Sequence, residues 1–410
     1  MGYLKLLKTH PQALIFGFLN SFFSGLGQTH FISIFSPLLM ATFALNNTEY
    51  GTLYSFVTLA SGLILPFIGP FIDKKDIRHF SLFIGLGLLI SQSLLIHTSS
   101  LYILALSLFG LRLFGQGLCS SVNSIVIARY FNKDRGKALS LTFLGFPLYE
   151  GLITPLFALL LVSMDLKSVG YILIISLLFI YIPFTFTLTK KIPRFNKPST
   201  STEKHSLNDS PTDHFSRKKV FSQKMIYLLL PQTLMPPFAL TGLLFHQAAV
   251  GNMKGWSLSI MASGLLFFAI GRSLTTFATG PLVDKFQAKT LFPYYQAPLL
   301  IGFLILALGQ SLWTPALAFC FFGLAVGSGA PIKAAIWAEL YGTKHLGAIK
   351  SSLATIMVLS TSISPALFGW ILDTFKNPQS LLYSLALCSL VAAMLSYFAL
   401  NTLKIQSSPE

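Results

Sequence analysis

Charged residues are scarce in this sequence. Only 10% of its 410 residues are Asp, Glu, Lys or Arg, whereas soluble domains carry about 25% charged residues. A soluble protein of this length could not cover its surface with so few charges, but the hydrocarbon of a bilayer requires none. The composition therefore excludes an ordinary soluble domain and favours a protein embedded in a membrane.

The sequence has only three cysteines and none of the common catalytic motifs. The three cysteines lie inside apolar runs, which indicates packing rather than a disulfide framework or a metal site. The sequence has no nucleotide-binding glycine loop, no His-Glu-x-x-His and no nucleophile elbow. We therefore expect no catalytic residues, no cofactor and no metal, and an ATP-driven pump is disfavoured.

The net charge of +16 is not concentrated in a soluble basic domain. The basic residues lie in short loops between apolar runs, whereas nucleic-acid binding needs a basic surface on a folded module. We therefore expect a lipid bilayer around the chain and no nucleic-acid partner.

Apolar runs that could cross a bilayer occur twelve times. A membrane-spanning helix needs about 20 predominantly apolar residues. The sequence therefore predicts an all-α membrane protein with twelve transmembrane helices. The predicted spans are 12–43, 50–72, 79–98, 101–131, 137–163, 168–189, 225–250, 256–283, 290–311, 314–341, 347–372 and 379–403.

One long polar stretch, 190–224, interrupts the series of spans. It is rich in Ser, Thr, Pro, Asn and Lys, so it cannot bury enough apolar surface to fold alone. We interpret it as a mobile cytoplasmic linker. It separates an N-terminal six-helix half, 1–189, from a C-terminal six-helix half, 225–410.

The distribution of Lys and Arg predicts the orientation. Of the 29 basic residues, 23 lie on one side of the predicted spans, three lie on the other side and three lie within spans. Basic residues accumulate on the cytoplasmic side of membrane proteins, so both termini and the linker should be cytoplasmic. The first span lacks a small-residue cleavage site and should be retained. Short external loops suit a bacterial inner (plasma) membrane.

Two loops at equivalent places in the halves have nearly the same sequence. GPFIDKKDIRH begins at Gly69 after the second span, and GPLVDKFQAK begins at Gly280 after the eighth. Such an internal repeat indicates an ancient duplication, which is common in transporters.

These loops resemble the signature of the major facilitator superfamily. They depart from it at Asp76 and Gln287, where the family often has a second glycine. The resemblance implies two pseudo-symmetric six-helix halves, alternating access and a functional monomer. It also implies a cytoplasmic gate whose contacts break when the halves rock, with close helix approach at the two loop glycines. The alternative is that these are solvated loop charges. The predicted gate residues are Gly69, Asp73, Lys74, Arg78, Gly280, Asp284 and Lys285, with Arg129, Arg135 and Glu339 in the matching loops after spans 4 and 10.

Four ionisable residues fall at membrane depth, where each costs roughly 2.5–3.5 kcal/mol on insertion scales. Arg112 lies near the middle of span 4 and either binds substrate or makes a structural ion pair. Glu150 in span 5 either carries a proton or pairs with Arg112. Arg272 and Lys333, in spans 8 and 10, either line the pathway or extend to the interface.

The first span of each half contains one histidine, and each histidine has a glutamine nearby. His30 follows Gln28, and His246 precedes Gln247. Because the first helices of the halves line the cavity in the family, these four residues are candidates for substrate binding or coupling. The alternative is that each histidine bonds to a helix carbonyl.

The balance of deep charges, three cations and one anion, favours a small anionic substrate, because a bound anion would relieve the buried cations. We therefore predict proton-coupled uptake of a carboxylate-like organic anion, with Glu150 or a histidine carrying the proton.

The alternative is a proton-driven exporter of a hydrophobic metabolite, drug or siderophore. Span 5, with Gly145, Pro147 and Gly151, lacks the Gly-Pro-Gly-Gly string of many family exporters. An intramembrane enzyme and a substrate-sensing receptor are two further classes, and a flux assay separates the receptor from a transporter.

Overall fold

The structure, a computed structural model, describes residues 3–69, 71–74, 76–131, 134–191, 217–342 and 345–407. Within these ranges all regular secondary structure is helical, as the sequence predicts. The predicted linker, 190–224, lies mostly outside the described residues. Its described parts include the turn Thr189–Lys191 and a short helix, Arg217–Phe221.

Twelve membrane segments follow one another along the chain. In the described part, ten are helices long and apolar enough to cross a membrane. The other two, the first and the ninth, are interrupted. The segments are α1 (Pro11–Phe23 and Thr29–Phe43), α2 (Asn47–Ile68), α3 (Ile77–Ile96), α4 (Leu101–Tyr130), α5 (Arg135–Ser163), α6 (Leu166–Leu188), α7 (Lys224–Phe245), α8 (Leu258–Phe286), α9 (Ala288–Leu291 and Ala297–Leu308), α10 (Thr314–Tyr341), α11 (Leu346–Phe375) and α12 (Pro378–Ser407).

The chain forms two compact units. The first comprises Met1–Thr200 together with Leu244–Ala248, and the second comprises Ser201–Leu243 and Ala249–Glu410. The segment Leu244–Ala248, which runs from the last two residues of α7 into the short helix Gln247–Met253, therefore groups with the first unit, although the sequence assigns it to the C-terminal half.

The interruptions of α1 and α9 were not visible as breaks in the hydropathy pattern. In α1, a 3-10 turn at Ser24–Gly27 leads to Gln28, whose backbone is extended (φ −79°, ψ 147°). In α9, Pro293 falls in the turn between the two helical pieces. Proline lacks the backbone N–H that a continuous helix needs, which favours the second interruption.

Three helices of the first unit widen locally from α to π geometry. The π-helical segments are Leu111–Cys119 in α4, Tyr149–Ile153 in α5 and Leu177–Tyr181 in α6. Such segments are rare and frequently mark functional sites, because they re-aim side chains out of the regular helical register. Arg112 and Glu150 each lie in one of them.

The break in α1 packs directly onto the π-helical segment of α4. A Cβ added to Gly27 would lie 2.1 Å from the carbonyl oxygen of Leu111 and 2.5 Å from the amide nitrogen of Gln116. A Cβ added to Gly115 would lie 2.7 Å from the amide nitrogen of Gly27. Small residues of this kind allow two membrane helices to meet backbone to backbone. This contact fixes the position of the break beside α4.

A buried polar chain fastens α1 to α4 and α6. The hydroxyl of Tyr181 donates to Asn20 Oδ1 at 3.0 Å and lies 3.3 Å from the thiol of Cys119. All three side chains are buried. Cys119 is therefore a packing residue, as the sequence suggests, with a polar neighbour that the sequence did not reveal.

In the second unit, glycines bring α8 and α10 together. A Cβ added to Gly323 or Gly327 would lie 2.2 Å from the carbonyl oxygen of Phe268 or Arg272, respectively. A Cβ on Gly271 would lie 2.6 Å from the carbonyl oxygen of Cys320. The two glycines of α10 are four residues apart, which is the spacing of small residues at close membrane-helix contacts.

The end of α9 is capped by a lysine from the connection that follows α7. Lys254 Nζ donates to the carbonyl oxygens of Leu306 at 2.8 Å and Ala307 at 2.7 Å, and it lies 5.1 Å from the ring centroid of Trp256. Burial lowers the pKa of Lys254 from its ordinary value. A cation at this position complements the negative end of the helix and satisfies its last carbonyls.

Replacement of Gly27 by alanine tests the contact between α1 and α4. The new Cβ would collide with backbone atoms that cannot rotate away, so we expect Gly27→Ala to cost about 1–3 kcal/mol of stability or more. The measurement is the apparent melting temperature of the purified protein in detergent. Gly136→Ala is the matched control, because a Cβ there meets nothing within 4 Å. Equal melting temperatures for the two variants would contradict the packing described.

Candidate substrate and coupling site

Arg112 lies about 16 Å along α4 from Leu101, near the middle of the helix. Its side chain is buried, with 6% of the residue exposed. One terminal nitrogen, Nη1, donates to the carbonyl oxygen of Gly27 and to Thr29 Oγ1, each at 3.3 Å. Both acceptors belong to the interrupted part of α1. The break therefore supplies the polar groups that a charge at this depth requires.

Tyr54 of α2 completes the surroundings of the guanidinium. Its hydroxyl donates to Thr29 Oγ1 at 3.0 Å, and its ring centroid lies 5.4 Å from the guanidinium carbon of Arg112. Thr29 thus accepts hydrogen bonds from two buried side chains. The face of an aromatic ring also attracts a cation, so Tyr54 stabilises the charge of Arg112 in two ways.

The next residue of α1, His30, faces α5. Its Nδ1 lies 3.0 Å from Thr154 Oγ1, and its Nε2 lies 3.8 Å from Glu150 Oε1. The Thr154 hydroxyl also donates to the carbonyl oxygen of Tyr149 at 3.3 Å. His30 and Glu150 are buried, with 7% and 5% of each residue exposed.

The Thr154 hydroxyl has one proton and two neighbouring acceptors, the carbonyl oxygen of Tyr149 and, in one neutral tautomer, Nδ1 of His30. When both ring nitrogens of His30 are protonated, Nδ1 donates to Thr154 and Nε2 presents its N–H toward Glu150. A charged imidazole with Nε2 3.8 Å from Oε1 of an ionised Glu150 forms an ion pair. The His30–Glu150 contact therefore gains an electrostatic attraction when His30 takes up a proton.

The short segment Leu244–Ala248 packs against the same part of α1. Gln247 Nε2 donates to Ser33 Oγ at 2.7 Å and lies 3.4 Å from the carbonyl oxygen of His30. Phe245 stacks on Tyr54 with ring centroids 4.2 Å apart. The segment thus touches both α1 and α2 beside the ionisable residues.

We call this assembly the α1 cluster. It consists of Thr29, His30, Ser33, Tyr54, Arg112, Glu150, Thr154 and Gln247, all of them buried.

Four residues that the sequence singled out meet in the α1 cluster: His30, Arg112, Glu150 and Gln247. Glu150 lies at ion-pair distance from His30, whereas Arg112 donates to Gly27 and Thr29. The structural ion pair of Arg112 with Glu150, one alternative from the sequence, is therefore not the arrangement seen. The other predicted side chains nearby are Gln28, half-buried at the break in α1, and His246, buried edge-on against Phe245.

The hydroxyl-bearing members of the cluster were missed by sequence reasoning. These members, Thr29, Ser33, Tyr54 and Thr154, gave no charge signal in the hydropathy pattern. A weak signal existed for Thr154, because it lies four residues after Glu150 and therefore near the same helical face. Nothing in the sequence pointed to Tyr54, whose role depends on the packing of α2 against α4.

The second unit places Arg272 of α8 and Lys333 of α10 within electrostatic range of each other. Both are half-buried rather than extended into solvent. Nearby, the hydroxyl of Tyr295 and the amide of Gln296 both donate to the carbonyl oxygen of Gln232. Two cations at membrane depth repel each other and are stabilised by a shared anion.

Among the predicted gate residues, Glu339 makes the clearest contact. Its carboxylate oxygens accept hydrogen bonds from the backbone N–H groups of Ala288 at 2.7 Å and Lys289 at 2.9 Å. The negative charge thus caps the start of α9 and complements the positive end of that helix. This contact joins the ends of α10 and α9.

The basic gate residues make contacts within their own units. Arg135 Nε donates to the carbonyl oxygen of Ala128 at 2.8 Å, which bridges α4 and α5. The guanidinium carbon of Arg78 lies 4.1 Å from the ring centroid of Phe186, and Lys285 Nζ lies 5.1 Å from that of Phe286. Arg129 is half-buried at the end of α4.

For the acidic and glycine positions of the repeated loops, the structure describes Gly69, Gly280 and Asp284, together with the backbone of Asp73. Asp284 is exposed. Asp73 and Lys74 belong to a short helix, Phe71–Lys74, but their side chains lie outside the described residues. A Cβ on Gly280 would meet nothing within 4 Å, and one on Gly69 would meet only the carbonyl oxygen of Leu65 in its own helix. Among the described residues, no other helix lies within 4 Å of a Cβ at either glycine.

Comparison with known proteins gives one family and many solved structures, two of which are described below. The model of the family described as Major Facilitator Superfamily matches residues 17–271 and 220–409. Both structures are of a bacterial homolog to the human lysosomal transporter Spinster. The chain resembles its inward-facing, unoccupied form with 17% identity and a TM-score of 0.68, covering 98% of this chain and 99% of that one. The inward-facing, occupied form gives 18% identity and a TM-score of 0.65, with 98% of each chain covered.

At these identities the likeness to the solved structures concerns the fold alone. A comparison with curated proteins gives no match. The substrate must therefore be argued from the residues of this chain.

Replacement of Thr29 by valine tests whether this residue organises the α1 cluster. Thr29→Val removes the acceptor of two buried donors, from Tyr54 and Arg112. We therefore expect the free energy of unfolding to fall by about 1–3 kcal/mol, with a lower apparent melting temperature in detergent. The matched control is Thr58→Val in α2, because the buried hydroxyl of Thr58 has no hydrogen-bond partner in the part of the chain that the structure describes. A Thr29→Val protein as stable as the control would refute the role assigned to Thr29.

Proposed function

Because the chain belongs to the major facilitator superfamily, we propose that it couples the uptake of a small organic anion to protons. The family makes the chain a multi-pass secondary transporter and not an enzyme. The carboxylate-like substrate, the proton and the inward direction are the content of the proposal. One observation carries the proposal. Arg112 and Glu150 contact consecutive residues of α1: Arg112 contacts Thr29, and Glu150 contacts His30.

The guanidinium of Arg112 supports an anionic substrate. An arginine in a protein does not lose its proton, so its charge at membrane depth persists through the transport cycle. Its present acceptors, a carbonyl and a hydroxyl, are uncharged. Its Nε has no partner among the described residues. A carboxylate can accept two parallel hydrogen bonds from such a group.

The His30–Glu150 pair supports coupling to a proton. With Glu150 ionised and His30 neutral, the charge of Arg112 is balanced within the α1 cluster. When the pair takes up a proton, the cluster becomes positive by one charge, which favours an anion. The reciprocity of linked binding then requires that the anion also favour the proton. This is the thermodynamic requirement for symport.

Alternating access would move the site from one side of the membrane to the other. In this proposal, the segment Leu244–Ala248 covers the α1 cluster through Gln247 and Phe245, so access past it requires these contacts to separate. The Lys and Arg distribution supports cytoplasmic termini. A functional monomer in a bacterial inner membrane is the setting we propose.

Uptake of labelled compounds into proteoliposomes tests the substrate class. The proteoliposomes would be exposed to a panel of carboxylates and a panel of lipophilic cations, each with and without a pH step. The proposal predicts that at least one carboxylate accumulates inside and that its accumulation requires an acidic exterior. Accumulation of none of the acids, together with proton-driven transport of the cations, would instead identify a proton-driven exporter of hydrophobic compounds.

Substitution of Arg112 tests the anion site. Removing a charged hydrogen-bonding partner of the substrate costs about 1.5–3 kcal/mol, so Arg112→Ala should reduce the affinity for the carboxylate by roughly tenfold to a hundredfold. Arg112→Lys keeps the charge but loses the two-pronged geometry, and should be intermediate. Lys167→Ala, at an exposed residue in the first turn of α6, is the control. Unchanged affinity in Arg112→Ala would remove Arg112 from the site.

Substitution of Glu150 separates binding from coupling. Gln at this position is nearly isosteric but cannot exchange a proton, so Glu150→Gln should retain exchange of labelled substrate across the membrane while losing accumulation driven by a pH gradient. The control is Glu49→Gln, at the exposed N-terminus of α2. Full pH-driven accumulation by Glu150→Gln would place the coupling proton elsewhere.

A further inference from the structure

An apolar groove lies among three helices of the second unit. Its cavity volume is about 440 Å³, and its lining includes Pro231 and Met235 of α7, Ser360 of α11, and Cys388, Val391 and Leu395 of α12. Sites of this volume commonly hold small molecules or parts of larger ones. None of the ionisable residues considered above lines it, so the groove is separate from the proposed transport site.

The shape of the groove follows from the prolines and aromatic residues of α7. Pro231, Pro236 and Pro237 lie inside this helix, and prolines bend membrane helices. Beyond the groove, α7 and α11 close upon each other. The rings of Phe238 and Phe368 meet edge to face at 5.4 Å, and a Cβ on Gly242 would lie 2.4 Å from the Phe368 ring. The groove therefore extends from this contact toward the start of α7.

The lining residues of α7 form one face of the helix, with the helical spacing of Pro231, Met235 and Phe238. The same face reaches Lys224, two turns before Pro231 and exposed at the start of α7. The distance from Lys224 to Pro231 along the helix is about 10 Å. Half of the hydrocarbon thickness of a bilayer is about 15 Å. A phospholipid whose head group lies near Lys224 can therefore place an acyl chain in the groove.

A basic helix, Arg217–Phe221, is attached at this same end. It packs through Val220, which is buried in a cluster with Ile226 of α7 and Leu400 of α12, and it contacts α11. The hydroxyl of Tyr227 donates to the carbonyl oxygen of Phe221 at 2.9 Å. The helix that presents the exposed Lys218 is thus held against the three helices that line the groove.

We infer that this groove binds one acyl chain of an anionic phospholipid, whose phosphate group is held by Lys218 and Lys224. An apolar groove at membrane depth excludes water and ions and accepts hydrocarbon. The two lysines at the adjacent helix ends attract a negative head group. A zwitterionic lipid shares the acyl chain but lacks the net charge, so the charge selects the anionic lipid.

Native mass spectrometry of the purified full chain tests the site directly. The protein would be released from micelles that contain phosphatidylglycerol or phosphatidylcholine with the same acyl chains. The inference predicts one retained phosphatidylglycerol per chain under conditions that remove phosphatidylcholine. Equal retention of the two lipids, or retention of neither, would overturn it.

Two variants separate the groove from the lysines. Val391 is 46% exposed and lines the groove, so Val391→Trp should fill it and abolish retention of the lipid. Met394→Trp is the matched control on the same helix, since Met394 is 50% exposed and does not line the groove. Retention in Val391→Trp equal to that in Met394→Trp would overturn the assignment of the groove.

The double variant Lys218→Gln/Lys224→Gln tests the role of the two lysine charges. Each lysine near an anionic head group contributes about fivefold to binding, so the double variant should lose about 25-fold in affinity for phosphatidylglycerol. Lys289→Gln, at another exposed lysine of the second unit, should bind as the wild type does. A double variant with unchanged affinity would remove the lysines from the site.

Discussion

The charge of Arg112, buried in the middle of the membrane, is the constraint on which the first unit depends. A guanidinium at this depth needs polar partners that a run of apolar helices does not offer. The break in α1 supplies them, because it turns the carbonyl of Gly27 and the hydroxyl of Thr29 toward Arg112. The break in turn depends on Gly27 and Gly115, which let the two backbones meet. The buried charge thus requires the break in α1, and the break requires the close glycine contact between α1 and α4.

The sequence predicted the architecture more completely than the site. Hydropathy and the repeated loops predicted twelve segments and the family resemblance, and both are confirmed, because a bilayer imposes length and polarity on every span. The same rules made Arg112, Glu150 and His30 conspicuous one by one. Their pairing depends on the break in α1 and on the π-helical segments, which arise from tertiary packing and leave no period in the sequence. For this reason the structure gave Glu150 a histidine as its near neighbour, and Thr29 and Tyr54 were not foreseen.

The two units use different means to hold charge. In the described residues, the π-helical segments all belong to the first unit, where the acid, the base and the arginine meet. The second unit instead presses α8 and α10 together through glycines and leaves Arg272 and Lys333 as two neighbouring cations. The duplication seen in the loops therefore extends to the order of helices but not to their chemistry.

The most direct test of the account is the proton movement that accompanies substrate entry. Proteoliposomes holding a pH-sensitive dye would be clamped at zero membrane potential, with equal pH on both sides, and then given an inward gradient of a transported carboxylate. Symport through the α1 cluster predicts that the lumen acidifies at a rate proportional to uptake. Uptake without a pH change, or with alkalinisation of the lumen, would contradict the coupling of the anion to the proton.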